Sequence, residues 1–121
     1  MQVQLTTSKY STVALHHFPC DWHGYTNFRF SIFNSGSDTL PMTCRINDIK
    51  HYSLGQNYND RFNCRLHLSP GWNDLSIPIT DIITAPKSRI MDVGHIDLIS
   101  FFSTELTEPR VIYIDYLYLT E

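Results

Sequence analysis

The densest set of side chains able to do chemistry lies between residues 48 and 61, in DIKHYSLGQNYNDR. Asp48, His51, Tyr52, Tyr58, Asn59, Asp60 and Arg61 bring carboxylates, an imidazole, phenols, an amide and a guanidinium into one short segment. One chemistry this allows is sugar recognition: phenol rings offer flat apolar faces to a pyranose, and the polar heads exchange hydrogen bonds with its hydroxyls. The other is internal, with Asp48, Asp60 and Arg61 clamping the loop through an Asp–Arg pair and turn hydrogen bonds. An irregular stretch of this length inside a compact domain is commonly functional.

A second group, Arg29, Arg45, Arg65 and His67, falls on outward positions of strand-like segments. If those strands neighbour one another in one sheet, they form a cationic stripe able to hold an acidic sugar through bidentate contacts. Cross-strand pairing with acidic residues is the alternative. The aromatic residues Trp22 and Tyr25 in DWHGY, and Trp72 after Pro70 and Gly71, stand beside strongly apolar strands and read as packing. Tyr113, Tyr116 and Tyr118 read the same way, with hydroxyls reaching water and two of the three sharing a side.

Catalytic patterns are missing. The chain has no GxSxG, no HExxH, no glycine-rich phosphate loop and no His-x-His. His16 and His17 are adjacent, so on a strand they point to opposite faces and cannot jointly hold a metal. Asp48 and Asp60 are a carboxylate pair of the kind glycoside hydrolysis uses, but nothing around them narrows the choice. The expectation is a protein that is not an enzyme.

Period-two alternation sets the frame that must position these groups. In TNFRFSIFN, Phe28, Phe30 and Ile32 share one face, with Arg29 and Ser31 on the other. LPMTCRIND puts Leu40, Met42, Cys44 and Ile46 inward, and FNCRLHLS does the same with Phe62, Cys64, Leu66 and Leu68. WNDLSIPIT, VQLTT and STVALHHF add strands, and DIITA reads as one helical turn. VGHIDLISFFS and RVIYIDYLYLT are nearly continuous apolar runs, as central strands are. NSGSD at 34–38 and SPGW at 69–72 are turn signals, the latter suiting a type II turn, and both predict antiparallel hairpins between sequence neighbours. The sum is about eight strands and no ordinary helix, an all-β antiparallel two-sheet β-sandwich of jelly-roll type.

Composition agrees. At 121 residues the chain is one domain, and 42% hydrophobic with 17% charged residues excludes a disordered polyampholyte. A formal net charge of −3 offers no footprint for nucleic acid, and no apolar run is long enough to insert directly into a membrane. The three cysteines, Cys20, Cys44 and Cys64, lack metal-ligand spacing; Cys44 and Cys64 read as buried thiols, with a bridge between them as the alternative.

Four segments in order, DWHGYTNFRFSIFN, RINDIKHYSLGQNYNDRFN, LSPGWNDLSIPITDI and RVIYIDYLYL, resemble the galactose-binding-like jelly-roll domains that serve as carbohydrate-binding modules of polysaccharide-active enzymes. The resemblance implies a non-catalytic module with a glycan partner, excised from a longer catalytic or membrane-anchored parent chain. Such a module would be extracellular or periplasmic where the parent is secreted. It also implies, as in many relatives, a structural calcium ion; Asp115 matches the acidic position of the final strand, while the N-terminal acidic partner has no match in VQLTTSKY. The expected sugar contacts are His51, Tyr52, Tyr58, Asn59, Asp60 and Arg61, with Arg29, Arg45, Arg65 and His67 as sheet-face contacts. A structural or protein-interaction β-sandwich with no sugar ligand is the competing reading.

Overall fold

A computed structural model describes residues 1–16 and 18–121. His17, and with it the geometry expected of the His16–His17 pair, lies outside the described residues. Eight strands form: β1 (Gln2–Leu5), β2 (Ser11–Leu15), β3 (Asn27–Asn34), β4 (Leu40–Asp48), β5 (Phe62–Leu68), β6 (Gly71–Pro78), β7 (Ile96–Ser103) and β8 (Arg110–Thr120). They make two antiparallel four-stranded sheets, sheet A in the order β1-β8-β3-β6 and sheet B in the order β2-β7-β4-β5. Among the described residues helix is confined to α1 (Lys50–Ser53), α2 (Ile79–Ile83) and a 3-10 turn at Tyr58–Asp60. Among the described residues no helix is long and apolar enough to cross a membrane.

The alternation seen in the sequence becomes burial. Phe28, Phe30 and Ile32 of β3 and Leu40, Met42, Cys44 and Ile46 of β4 are all buried between the sheets. Trp22, Phe28, Phe30 and Phe101 run through this core with successive ring centroids 5.1, 5.2 and 5.0 Å apart. The Trp22 indole N–H donates to the Pro19 carbonyl at 2.7 Å, so the one polar atom of the buried ring is satisfied. Trp22 is therefore a core residue, as its place before β3 suggests, while Tyr25 beside it is exposed. The two continuous apolar runs are the central strands β7 and β8.

Pairing between sequence neighbours is where the expectation fails. β3 lies in sheet A and β4 in sheet B, while β5 lies in sheet B and β6 in sheet A, so the turns at 34–38 and 69–72 are crossings between layers and not hairpins. Asn34 explains the first crossing. Buried beneath the turn, it donates to the carbonyls of Asp38 and Leu68 and accepts from the Gly36 N–H and the Arg110 guanidinium, each at 2.9 Å. At the second crossing Gly71 takes φ +94°, the value a type II turn asks of its third residue, and Asn73 ties it down by donating to Ser69 O and Gly71 O. Of the sequence neighbours, only β4 and β5 pair directly, with the 48–61 loop as their connection.

That pairing sets Cys44 directly opposite Cys64. Both thiols are free and no bridge joins them; Cys44 is buried and Cys64 half-buried, while Cys20 is exposed. Burial, and next the neighbouring Cys64, push the Cys44 thiol far above its ordinary range and keep it neutral.

Candidate glycan-facing surface

The register of sheet A lays its outward side chains in rows across β6, β3 and β8. Trp72, Phe33 and Tyr113 make an aromatic row, with Phe33 edge-on to Trp72 at 5.3 Å and to Tyr113 at 6.0 Å. One pleat along, Asp74, Ser31 and Asp115 make a carboxylate row in which the Ser31 hydroxyl donates to Asp74 at 2.6 Å. Ser76, Arg29 and Tyr118 make the next. Trp72, Tyr116 and Tyr118 are each at least half exposed, at 54%, 64% and 51%. The packing expected of these rings does not occur, because the face they stand on is left open.

Strict alternation would turn Tyr116 inward. A β-bulge prevents it. Ser31 pairs with Asp115 and Arg29 with Tyr118, so two residues of β8, Tyr116 and Leu117, oppose the single Phe30 of β3. Tyr116 sits in the left-handed region at φ 56°, and its N–H donates to the Asp115 carboxylate at 2.9 Å. The extra residue throws Tyr116 onto the outer face, its ring centroid 6.4 Å from that of Trp72. Tyr116 and Tyr118 then wall a cleft of about 380 Å³ over Arg29, Ser31, Asp74 and Ser76.

This surface combines what hydroxyl-rich ligands need. Aromatic faces meet the C–H side of a sugar ring, while carboxylates and a guanidinium exchange strong hydrogen bonds with vicinal hydroxyls. Asp115, the expected calcium residue, lies here beside Ser31. Among the described residues no three His, Cys, Asp or Glu side chains gather around one point, and hard cations ask for six to eight oxygens.

The 48–61 loop is organised around a residue the sequence reading missed. Arg89 reaches in from the irregular segment before β7: its Nη1 and Nη2 donate to Asp48 at 2.7 and 2.8 Å, and its Nε and Nη2 donate to Asp60 at 2.8 and 3.0 Å. Asp48, fully buried, also accepts from the N–H groups of His51 and Asp92. Burial alone would raise the Asp48 carboxyl, but the Arg89 contacts and these N–H groups outweigh it and hold it below the ordinary range. For Asp60 the Arg89 hydrogen bonds lead, and its carboxyl is lowered too. His51 is likewise buried, its Nδ1 donating to Asp60 at 3.1 Å.

The clamp thus forms, but with Arg89 in place of Arg61. Arg61 bonds Asn63 at 2.9 Å and lies 5.3 Å from the Tyr58 ring centroid. The Tyr52 hydroxyl donates to Asp97 at 2.8 Å. Of the loop's expected sugar contacts, Tyr58 and Asn59 stay exposed with their side chains free of internal hydrogen bonds among the described residues, whereas His51 and Asp60 spend theirs on the clamp. The proposed four-member cationic stripe is also divided: Arg29 is on sheet A, and Arg45, Arg65 and His67 are on sheet B.

Neither a protein-family model nor a curated protein sequence matches the chain. Solved structures do. A family 11 carbohydrate-binding module from Clostridium thermocellum, in complex with a beta-1,3-1,4-mixed-linked tetrasaccharide, superposes with a TM-score of 0.71 over 98% of this chain and 74% of its own, at 17% identity. The chain shares that structure's β-sandwich fold. An agarase, AgWH50C, matches with a TM-score of 0.72 at 13% identity, and an exo-beta-agarase with 0.71 at 12%. This chain spans about a fifth of each of those two, 21% and 19%, so in each of them the matching fold is one part of a much longer chain.

Proposed function

We propose that the protein is a non-catalytic carbohydrate-binding module that holds a polysaccharide on the outer face of sheet A. The observation that carries this reading is the open row of Trp72, Phe33 and Tyr113, joined to the Tyr116–Tyr118 cleft over Arg29 and Asp74. An unpartnered aromatic surface interleaved with carboxylates and a guanidinium is costly to leave in water unless it meets a ligand of mixed character. The beta-1,3-1,4-mixed-linked tetrasaccharide bound by the structurally similar module supports a glycan as the ligand, and the agarases support a parent enzyme that the module would hold on its polymer.

Affinity electrophoresis through gels containing mixed-linked β-glucan, agarose or dextran tests this. Retardation is expected in at least one gel, and Trp72→Ala should weaken it about fivefold, since a stacked ring contributes roughly 1 kcal/mol. Tyr58→Ala, on the 48–61 loop, should leave it unchanged. Loss with Tyr58→Ala but not with Trp72→Ala would move the site to the loop, and no retardation in any neutral polysaccharide would refute the reading.

A further inference from the structure

The outer face of sheet B carries a charge arrangement that the glycan reading of sheet A does not use. Arg45 of β4 stands opposite Asn63 of β5, and Arg61 and Arg65 flank Asn63 two residues to either side. Such diagonal neighbours lie about 7–8 Å apart, within reach of long side chains. His67, opposite Pro41, extends the line. Among the described residues none of Arg45, Arg61, Arg65 and His67 belongs to an ion pair; those found involve Arg89, Arg110, His23, His51 and His95. The carboxylate of Asp97, across the face, accepts instead from the Tyr52 hydroxyl.

Two further features make this more than a scatter of surface charge. The Arg61 guanidinium is held by its Nε donating to Asn63 and lies over the Tyr58 ring, its central carbon 5.3 Å from the ring centroid. The Arg45 Nε is buried and has no hydrogen-bond partner among the described residues, an N–H that would cost free energy unless an acceptor arrives. Burial, and next the like charge of Arg45, depress the Arg61 guanidinium, so the pair repels in the absence of an anion. A chain of net charge −3 has thus collected three guanidinium groups on β4, on β5 and on the residue just before β5, with none of the three in an ion pair among the described residues.

We infer that Arg45, Arg61 and Arg65 form a second binding site, which takes an oxyanion substituent, sulfate ester or uronate carboxylate, carried on an acidic polysaccharide. Guanidinium forks match such groups bidentately, and the Tyr58 ring borders the site as a surface for the sugar that bears them. The polymer part of the inference rests on the glycan-binding reading above; the anion part stands on the arginines alone.

Affinity electrophoresis with dextran, dextran sulfate and polygalacturonate separates the possibilities. Retention is expected with dextran sulfate or polygalacturonate and should weaken in salt, and which polymer is held tells sulfate from carboxylate. Arg61→Gln and Arg45→Gln should each lower it about tenfold, the scale of a charged hydrogen-bonding group. Arg65→Gln, at an exposed position, should act in the same direction without altering the thermal melt. Lys9→Gln removes the same charge from the exposed turn between β1 and β2, outside both sites, and should leave this retention intact. An equal loss with Lys9→Gln would show mere bulk attraction and overturn the inference, as would retention of neither acidic polymer. Displacement by inorganic sulfate at the same sulfate concentration would overturn the polymer assignment. Retention of an acidic polymer with none of any neutral one would refute the sheet A reading alone.

Discussion

At the scale of the residue, Arg89 is the side chain on which most depends. One guanidinium meets two carboxylates, one of them fully buried, with each of its donor nitrogens engaged. Removing one partner of such a group leaves charge stranded in the interior, so Arg89→Ala should lower unfolding stability by about 3 kcal/mol at pH 7. The sign of the pH dependence follows from the depressed carboxyls of Asp48 and Asp60. The unfolded chain takes up protons at these positions first as pH falls, so their contribution is whole above about pH 4 and is lost below it. Urea denaturation of wild type and Arg89→Ala at pH 7 and pH 3 should therefore give a smaller difference at the lower pH. A difference that stays constant would mean that the clamp acts through packing and not charge.

At the scale of the element, the bulge in β8 decides whether sheet A presents a ledge or a cleft. Tyr116 holds a left-handed conformation that costs a residue with a Cβ about 1–2 kcal/mol. Tyr116→Ala and Tyr116→Gly both remove the ring, so both should weaken neutral-glycan retention about fivefold. Only glycine also relieves the backbone, and the glycine variant should be the more stable by about 1 kcal/mol in chemical denaturation. Equal stability of the two would show that the bulge is unstrained. The same element shows what the sequence could and could not convey. Alternation together with the two continuous apolar runs marked all eight strands and most of the core, because facing in or out is a local property of period two and a central strand shows as an apolar run. Membership of a row is not local: Trp72, Phe33 and Tyr113 come together only once β3 is known to pair with both β6 and β8. Reading Trp72 and the tyrosines as packed residues followed from the apolar strands beside them. Arg89 escaped notice because its carboxylates lie 41 and 29 residues earlier in the chain, a separation that no local pattern reports. The hairpins expected at 34–38 and 69–72 failed for a related reason, since a tight turn joins layers as readily as neighbours.

At the scale of the whole molecule, the sandwich places two chemically different faces back to back. Sheet A offers rings with Asp74, Asp115 and one arginine, whereas sheet B offers Arg45, Arg61 and Arg65. Between them stands one contiguous core with Phe30, Ile32, Cys44, Ile46 and Phe101 at 1% exposure or less. Packed sheets are about 10 Å apart and their outer side chains farther still, beyond the distance at which substitutions usually couple. A close-packed core also has no second arrangement through which one face could report to the other. The two sites should therefore be independent, and saturating a neutral polysaccharide on sheet A should change dextran sulfate affinity by less than about twofold. The double variant Trp72→Ala/Arg61→Gln should lose on each polymer only what the corresponding single variant loses. Independence has a consequence that neither face has alone: one molecule can hold a neutral and an acidic polymer together. A gel containing both should retard the wild type more than either polymer does singly, while each single variant falls back to the mobility set by its remaining face. Mutual exclusion of the two polymers would mean that they share one surface, and would contradict the placement of the sites on opposite sheets.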